Sequence, residues 1–156
     1  MSRTLVAFFS ASGQTKRFSW RNSQTSQLWY LWNKTESSIQ RKWFRFSRST
    51  IECKNRKSRP ELADKNANIS KYNTILVGFP VWWYIAPNII LTFLESYNFT
   101  GKKIVVWGTS WSSGMGNTTE EIRNIAKGAN VVEGVIFDKD HRNTSDYRKF
   151  ISNLRL

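Results

Sequence analysis

The chain has 156 residues, the length of one domain with a sizeable core. A single cysteine, Cys53, excludes a disulfide framework; a single histidine, His141, excludes most His-based metal clusters and leaves little for a catalytic triad. A net charge of +13 ordinarily suggests nucleic acid or an anionic surface, but Lys and Arg are scattered here, so the charge speaks to solubility and encounter rates. The apolar run Leu5–Phe9 is too short for a secretory signal, and no run approaches a membrane span, so a soluble cytoplasmic protein is expected.

Thr4 to Phe9 reads as a buried first strand. It runs into Ser10-Ala11-Ser12-Gly13-Gln14-Thr15-Lys16, small hydroxyl residues with one glycine ahead of a helix start. That order makes an anion site, with backbone N–H groups facing the ligand and the hydroxyls of Ser10, Ser12 and Thr15 able to donate. The Gly-Lys-Ser/Thr ending of a nucleoside-triphosphate loop is missing. An ordinary Ser/Thr cap of the first helix accounts for the same residues.

From Phe18 to about Phe46 neither a helical nor a strand period is visible. Four of the eight Trp residues (Trp20, Trp29, Trp32, Trp43) fall there, and the helix that should follow the first loop is not evident. Asn55 to Ser70 is polar and linker-like, with Pro60–Asp64 as a short helix start.

Thr74 to Pro87 is the stretch around which the chain is organised. Ile75–Phe79 reads as a central parallel strand, stopped by Pro80 and followed by the aromatic loop Val81-Trp82-Trp83-Tyr84. Open α/β sheets bind ligands at the carboxyl ends of their strands. The two Trp and the Tyr can therefore wall a flat ring, or simply plug the top of the core. Pro87–Tyr97 follows as a helix with Ile90, Leu91 and Leu94 on one face. Ile104–Trp107 is another buried strand, followed by a second small-residue loop, Thr109-Ser110-Trp111-Ser112-Ser113-Gly114-Met115-Gly116. Thr118-Thr119-Glu120-Glu121 caps a helix to about Lys127, Asn130–Phe137 is the last strand and Ser145–Leu154 the last helix. Strand–helix alternation of this kind means a doubly wound α/β domain with a parallel sheet.

The stretches Phe9–Lys16 and Gly78–Tyr84, together with Thr92–Tyr97 and Ser49–Glu52, resemble the flavodoxin family in its short bacterial form. The match covers residues 2–16 and about 47–137. The resemblance implies one three-layer α/β/α domain over residues 1–156, with a five-stranded parallel sheet of order 2-1-3-4-5 carrying non-covalent FMN. It implies a phosphate held by Ser10, Ser12, Gly13, Gln14 and Thr15. It places the flavin ring between the second loop (Pro80, Val81, Trp82, Trp83, Tyr84) and the third (Thr109, Ser110, Trp111, Ser112, Gly114, Gly116). Trp111 stands where the family usually has Gly, and so either crowds the ring or gives it a second stacking face. Flavodoxins are typically acidic, which disfavours the anionic reduced flavin; this basic chain is expected to hold FMN at a less negative potential.

Residues 18–46 read as a segment shifted by one nucleotide out of frame, with a genuinely divergent insertion as the alternative. Back-translated in the shifted frame, Trp29 to Glu36 can read Gly-Ile-Tyr-Gly-Ile-Lys-Pro, which resembles the family's second strand. Arg17 to Gln24 can become Ala-Leu-Ala-Gly-Glu-Ile-Ala-Lys, an amphipathic helix. As the chain stands, the first helix and second strand are expected to be disrupted, with apolar sheet exposed and Leu28–Trp32 adding at most as a crude edge strand. The leading reading is an electron carrier between a reductase and an acceptor protein. An FMN-dependent oxidoreductase of the quinone or nitro-compound type is the alternative on the same fold. A basic nucleic-acid binder is a third class. Neither His141 nor Cys53 has a paired base in view.

Overall fold

The computed structural model describes residues 3–10, 13–20, 27–30, 55–138 and 144–154. Its strands are β1 (Thr4–Phe8), β2 (Gln27–Tyr30), β3 (Thr74–Pro80), β4 (Lys103–Thr109) and β5 (Asn130–Phe137). They form one sheet in the order β2-β1-β3-β4-β5, with every neighbouring pair parallel. The helices are α1 (Gln14–Trp20), α2 (Asn88–Ser96), α3 (Thr118–Ile125) and α4 (Thr144–Asn153). The α/β class expected from strand–helix alternation is the one observed.

Alternation along each strand sorts the core into two layers. The register aligns Leu5, Ile75, Ile104 and Val131 in one row across four strands. That row, with Ala7, Val77, Phe79 and Val106, packs against Ile89, Ile90, Phe93 and Leu94 of α2 and Ile122 of α3. Val6, Phe8, Leu76, Val105 and Trp107 point to the other face, where Phe137 joins them and Phe150, Ile151 and Leu154 cover them. Burial on both faces is what a parallel sheet with crossover helices requires. Gly78 makes this packing fit: a Cβ there would lie 2.2 Å from the Trp107 ring on the adjacent strand.

Several expectations need correction. A helix does follow the first loop: α1 runs for seven residues from Gln14. It starts because Gly13 takes a positive φ of 82° and the Lys16 N–H donates to the Ser10 hydroxyl at 3.1 Å, satisfying one orphan donor of the first turn. The second strand is the short edge strand allowed for Leu28–Trp32, four residues long and placed at Gln27–Tyr30. The expected exposure of apolar sheet is absent at Val6, Phe8 and Leu76, all of which are buried. The rest of the 18–46 segment lies outside the described residues. Pro60–Asp64 forms no helix; the one helical turn in that stretch is a 3-10 turn at Ile69–Lys71. Leu62, Ala67 and Ile69 all enter the core, and their spacing of five and two cannot share a helical face.

Candidate functional site

Three loops leave the carboxyl ends of β1, β3 and β4, and polar contacts tie them together. The Thr15 and Thr109 hydroxyls share a buried hydrogen bond of 2.9 Å, joining α1 to the end of β4. The Val81 N–H donates to the Thr109 carbonyl at 2.8 Å, joining the second loop to the third. The Phe9 N–H donates to the Gly78 carbonyl, and the Phe9 ring meets Trp82 edge-on at 6.0 Å. The described residues of Ser10–Lys16 thus lie together with Pro80–Tyr84 and Thr109–Gly116 at one end of the sheet.

In the first loop Ser10 is buried and Thr15 is 1% exposed, while Gly13 and Gln14 face solvent. Ser12 lies outside the described residues. The Thr15 hydroxyl is turned inward to Thr109, and the Ser10 oxygen accepts from the helix backbone. Both hydroxyls are thus engaged within the protein, as a helix cap requires, and an anion at this loop would meet backbone N–H groups instead.

The second loop is more distinctive. Pro80 ends β3 opposite Thr109 in the ladder. Trp82 and Ile85 then exchange backbone hydrogen bonds of 3.0 and 3.1 Å and close a two-residue turn. Its central residues, Trp83 and Tyr84, have φ of 53° and 65°. Positive φ at both positions normally selects Gly, Asn or Asp. Placing two aromatics there costs roughly 1–2 kcal/mol each, and strain of this kind concentrates at functional sites. The two adjacent tryptophans divide the expected roles. Trp82 is half-buried against the core, whereas Trp83 projects with Tyr84 from the turn, 62% and 56% exposed.

In the third loop Thr109 and Ser110 are buried, and Ser110 donates its N–H to the Phe137 carbonyl and accepts from Ser113 N–H through its hydroxyl. Trp111 is 70% exposed, with Ser112 and Gly114 beside it also open to solvent. Gly116 lies against the aromatic turn: a Cβ there would sit 2.8 Å from both Cβ and O of Tyr84. Val81 is buried against Gly108 beneath the site.

Sequence reasoning missed Phe9 and Thr118. The expected Thr-Thr-Glu-Glu cap is not made: Asn117 is the N-cap residue and forms no side-chain cap bond. The Thr118 hydroxyl donates instead to the Tyr84 carbonyl at 3.1 Å, and the Thr119 hydroxyl to Glu133 on β5. A hydroxyl pair at a helix start signals capping by default, so nothing in the sequence announced these long-range contacts.

The three loops present flat apolar surface beside hydroxyl and amide groups, with Lys16 as their one charge. Among the described residues no group of three or more His, Cys, Asp or Glu could hold a metal, and no helix is long and apolar enough to cross a membrane. A broad polar groove of about 620 Å³, lined by Lys65, Tyr97 and Lys102 among others, lies at the amino-terminal ends of β3 and β4, far from these loops in the fold.

Comparison with functionally curated proteins finds no match. Among solved structures, the chain is similar to a Bacteroides uniformis protein assigned as a flavoprotein, with 33% identity over 97% of this chain and 98% of that one and a TM-score of 0.82. A Bacteroides eggerthii protein, similarly assigned, has 29% identity over 100% and 99% of the two chains, with a TM-score of 0.80. A Lactobacillus acidophilus flavoprotein solved in complex with FMN shares the fold, with 24% identity over 97% and 99% and a TM-score of 0.70. The model of the family described as Flavodoxin matches residues 3–154. The chain belongs to the flavodoxin family.

Proposed function

We propose that this protein binds FMN non-covalently and carries electrons between redox partner proteins at an exposed edge of the flavin. The observation that carries this reading is the mutual tethering of three loops at the carboxyl end of the sheet, with Trp83, Tyr84 and Trp111 left open to solvent above them. Adjacent exposed aromatics such as Trp83 and Tyr84, on a loop tethered to its neighbours, are the kind of apolar surface that marks a ligand groove. The donor set fits the cofactor. The backbone amides at the start of α1 suit a phosphate of about two negative charges, while the Ser10 and Thr15 hydroxyls brace the loop from inside. Trp83 and Tyr84 offer ring faces worth roughly 1 kcal/mol per stacked contact, with Trp82 and Phe9 as backing. Thr109 to Gly116 offer backbone groups to the polar edge of the ring, and Trp111, exposed as it is, supplies a second face rather than a plug.

Bound FMN supplies the redox chemistry, and the protein supplies binding, orientation and field. The chain's own residues hold the phosphate, exclude water from one ring face and leave an edge open. The FMN complex of the Lactobacillus relative supports the assignment of the cofactor. The test is a titration of purified protein with FMN, followed by flavin fluorescence and visible absorption. Saturable quenching at one equivalent is expected, weakened about tenfold in Tyr84→Ala. An unchanged flavin spectrum in the presence of excess protein overturns the reading. Direct oxidation of NAD(P)H by the holoprotein assigns it to the FMN-dependent oxidoreductases; reduction only through a reductase protein assigns it to the carriers.

A further inference from the structure

We infer that Arg56 is a positioning residue for the aromatic turn, a role that rests on the flavin reading only for its ligand. The Arg56 Nη1 donates to the Ala86 carbonyl at 2.9 Å and to Asn88 Oδ1 at 2.7 Å. Its Nη2 reaches both oxygens of Glu121, at 2.8 and 2.6 Å. Asn88 is fully buried and returns its Nδ2 to the Asn55 carbonyl at 2.9 Å. One guanidinium thus bridges the exit of the second loop, the start of α2 and the side of α3.

Glu121 stands three residues after Thr118 on α3, so the two side chains share a helix face. Thr118 holds the carbonyl of Tyr84; Glu121, through Arg56, holds the carbonyl of Ala86. The first turns of α3 therefore grip the backbone on both sides of Ile85, the residue whose two hydrogen bonds with Trp82 close the strained turn. A turn with two aromatics at positive φ reopens unless its surroundings hold it. The grip needs a planar fork with several donors at fixed angles; a lysine ammonium can hold Glu121 but cannot also span Ala86 and Asn88. No motif pointed to Arg56, which lies in a polar stretch 26 residues before Trp82.

The experiment compares wild type, Arg56→Lys, Arg56→Gln and Glu121→Gln by amide hydrogen exchange of the apoprotein, chemical unfolding and FMN titration. In Arg56→Lys, exchange at the Trp82 and Ile85 amides should rise about tenfold while Val77 and Val105 in the central sheet keep their wild-type rates; FMN affinity should fall about tenfold. Arg56→Gln should do the same more strongly, and Glu121→Gln to an intermediate degree. Wild-type exchange at Trp82 and Ile85 in Arg56→Lys overturns the inference. So does acceleration spread evenly through β3 and β4, which marks a general structural role. Failure of the wild type to bind FMN brings down the flavin reading alone, since the exchange pattern still decides what Arg56 does.

Discussion

Trp83 and Tyr84 sit in a backbone conformation that glycine would adopt freely. Two opposed terms decide what relieving it does at position 84. Removing the left-handed cost returns roughly 1–2 kcal/mol, while glycine's extra freedom in the unfolded chain takes back about 0.5–1 kcal/mol. Tyr84→Gly should therefore be more stable than Tyr84→Ala by about 0.5–1 kcal/mol in the apoprotein, although both lose the ring and bind FMN weakly. Urea unfolding of the pair reads this directly, and an alanine variant as stable as the glycine one removes the case for strain. Tyr97 makes a separate prediction, in pH. Burial pushes its phenol above the ordinary value of 10.0, Asp64 adds to the rise, and Ala67 and Lys65 oppose it. The hydroxyl oxygen is buried and meets no partner in hydrogen-bonding geometry, the nearby Ala67 backbone included. The folded state thus holds the phenolic proton more tightly than the unfolded chain does. Burial penalises the ionised phenol in the folded state, so stability is unaffected by this group below pH 10 and falls as pH rises from 10 through the folded value. Tyr97→Phe should be neutral or stabilising by up to about 1 kcal/mol at pH 7. It should also flatten the fall of stability above pH 10, measured as urea midpoints at pH 8 to 11.

At the level of elements, the sequence disclosed what local pattern controls and hid what long-range contact controls. The apolar runs at Thr4–Phe9, Ile75–Phe79 and Ile104–Trp107 mark central strands because a sheet buried on both faces needs uninterrupted hydrophobicity, and the observed strands differ by a residue or two at their ends. The small-residue loops were legible from Gly13, Pro80 and Gly116, which punctuate the chain where strands end. The double role of Thr118, the reach of Arg56 and the seven-residue α1 were not legible. Each depends on a partner distant in sequence, or on a cap from Ser10 that outweighs a poor helical pattern after it. The pairing of β3 with β4 gives the clearest test of long-range fit. Gly78→Ala places a methyl 2.2 Å from the Trp107 ring, between two strands that hydrogen bonds prevent from separating. Overpacking of this kind costs about 1–3 kcal/mol. Adding Trp107→Leu should recover part of that loss, so the double variant is less destabilised than the sum of the singles. Strict additivity in thermal or urea unfolding contradicts the contact.

Across the whole molecule, charge and reading frame remain coupled. Residues 18–46 carry Arg21, Lys34, Arg41, Lys42 and Arg45 against Glu36, a net +4 of the total +13, leaving +9 elsewhere. The family match runs through that segment from residue 3 to 154, so the lineage is a flavodoxin on both sides of it. Sequencing the encoding DNA tests the frame: an open shifted frame that encodes no amphipathic helix ends that explanation, whereas one that reads as helix and strand accounts for the missing pattern. Either outcome leaves the chain strongly basic, and that has a measurable electrical consequence. Reduced flavin carries negative charge, and a positive field of the whole protein favours the reduced state over the oxidised one. The bound flavin should therefore sit at a less negative potential than in the acidic members of the family. Mobile ions erase such a field beyond the Debye length, about 8 Å at 0.15 M and 3 Å at 1 M. A local hydrogen bond from the loops survives added salt, whereas the summed field of dispersed Lys and Arg does not. Redox titration at 0.02 M and 1 M salt separates the two: the potential should fall by a few tens of millivolts as salt is raised, since 59 mV corresponds to a tenfold change for one electron. A potential that stays flat with salt means that the loops set the electronics and the net charge serves only encounter.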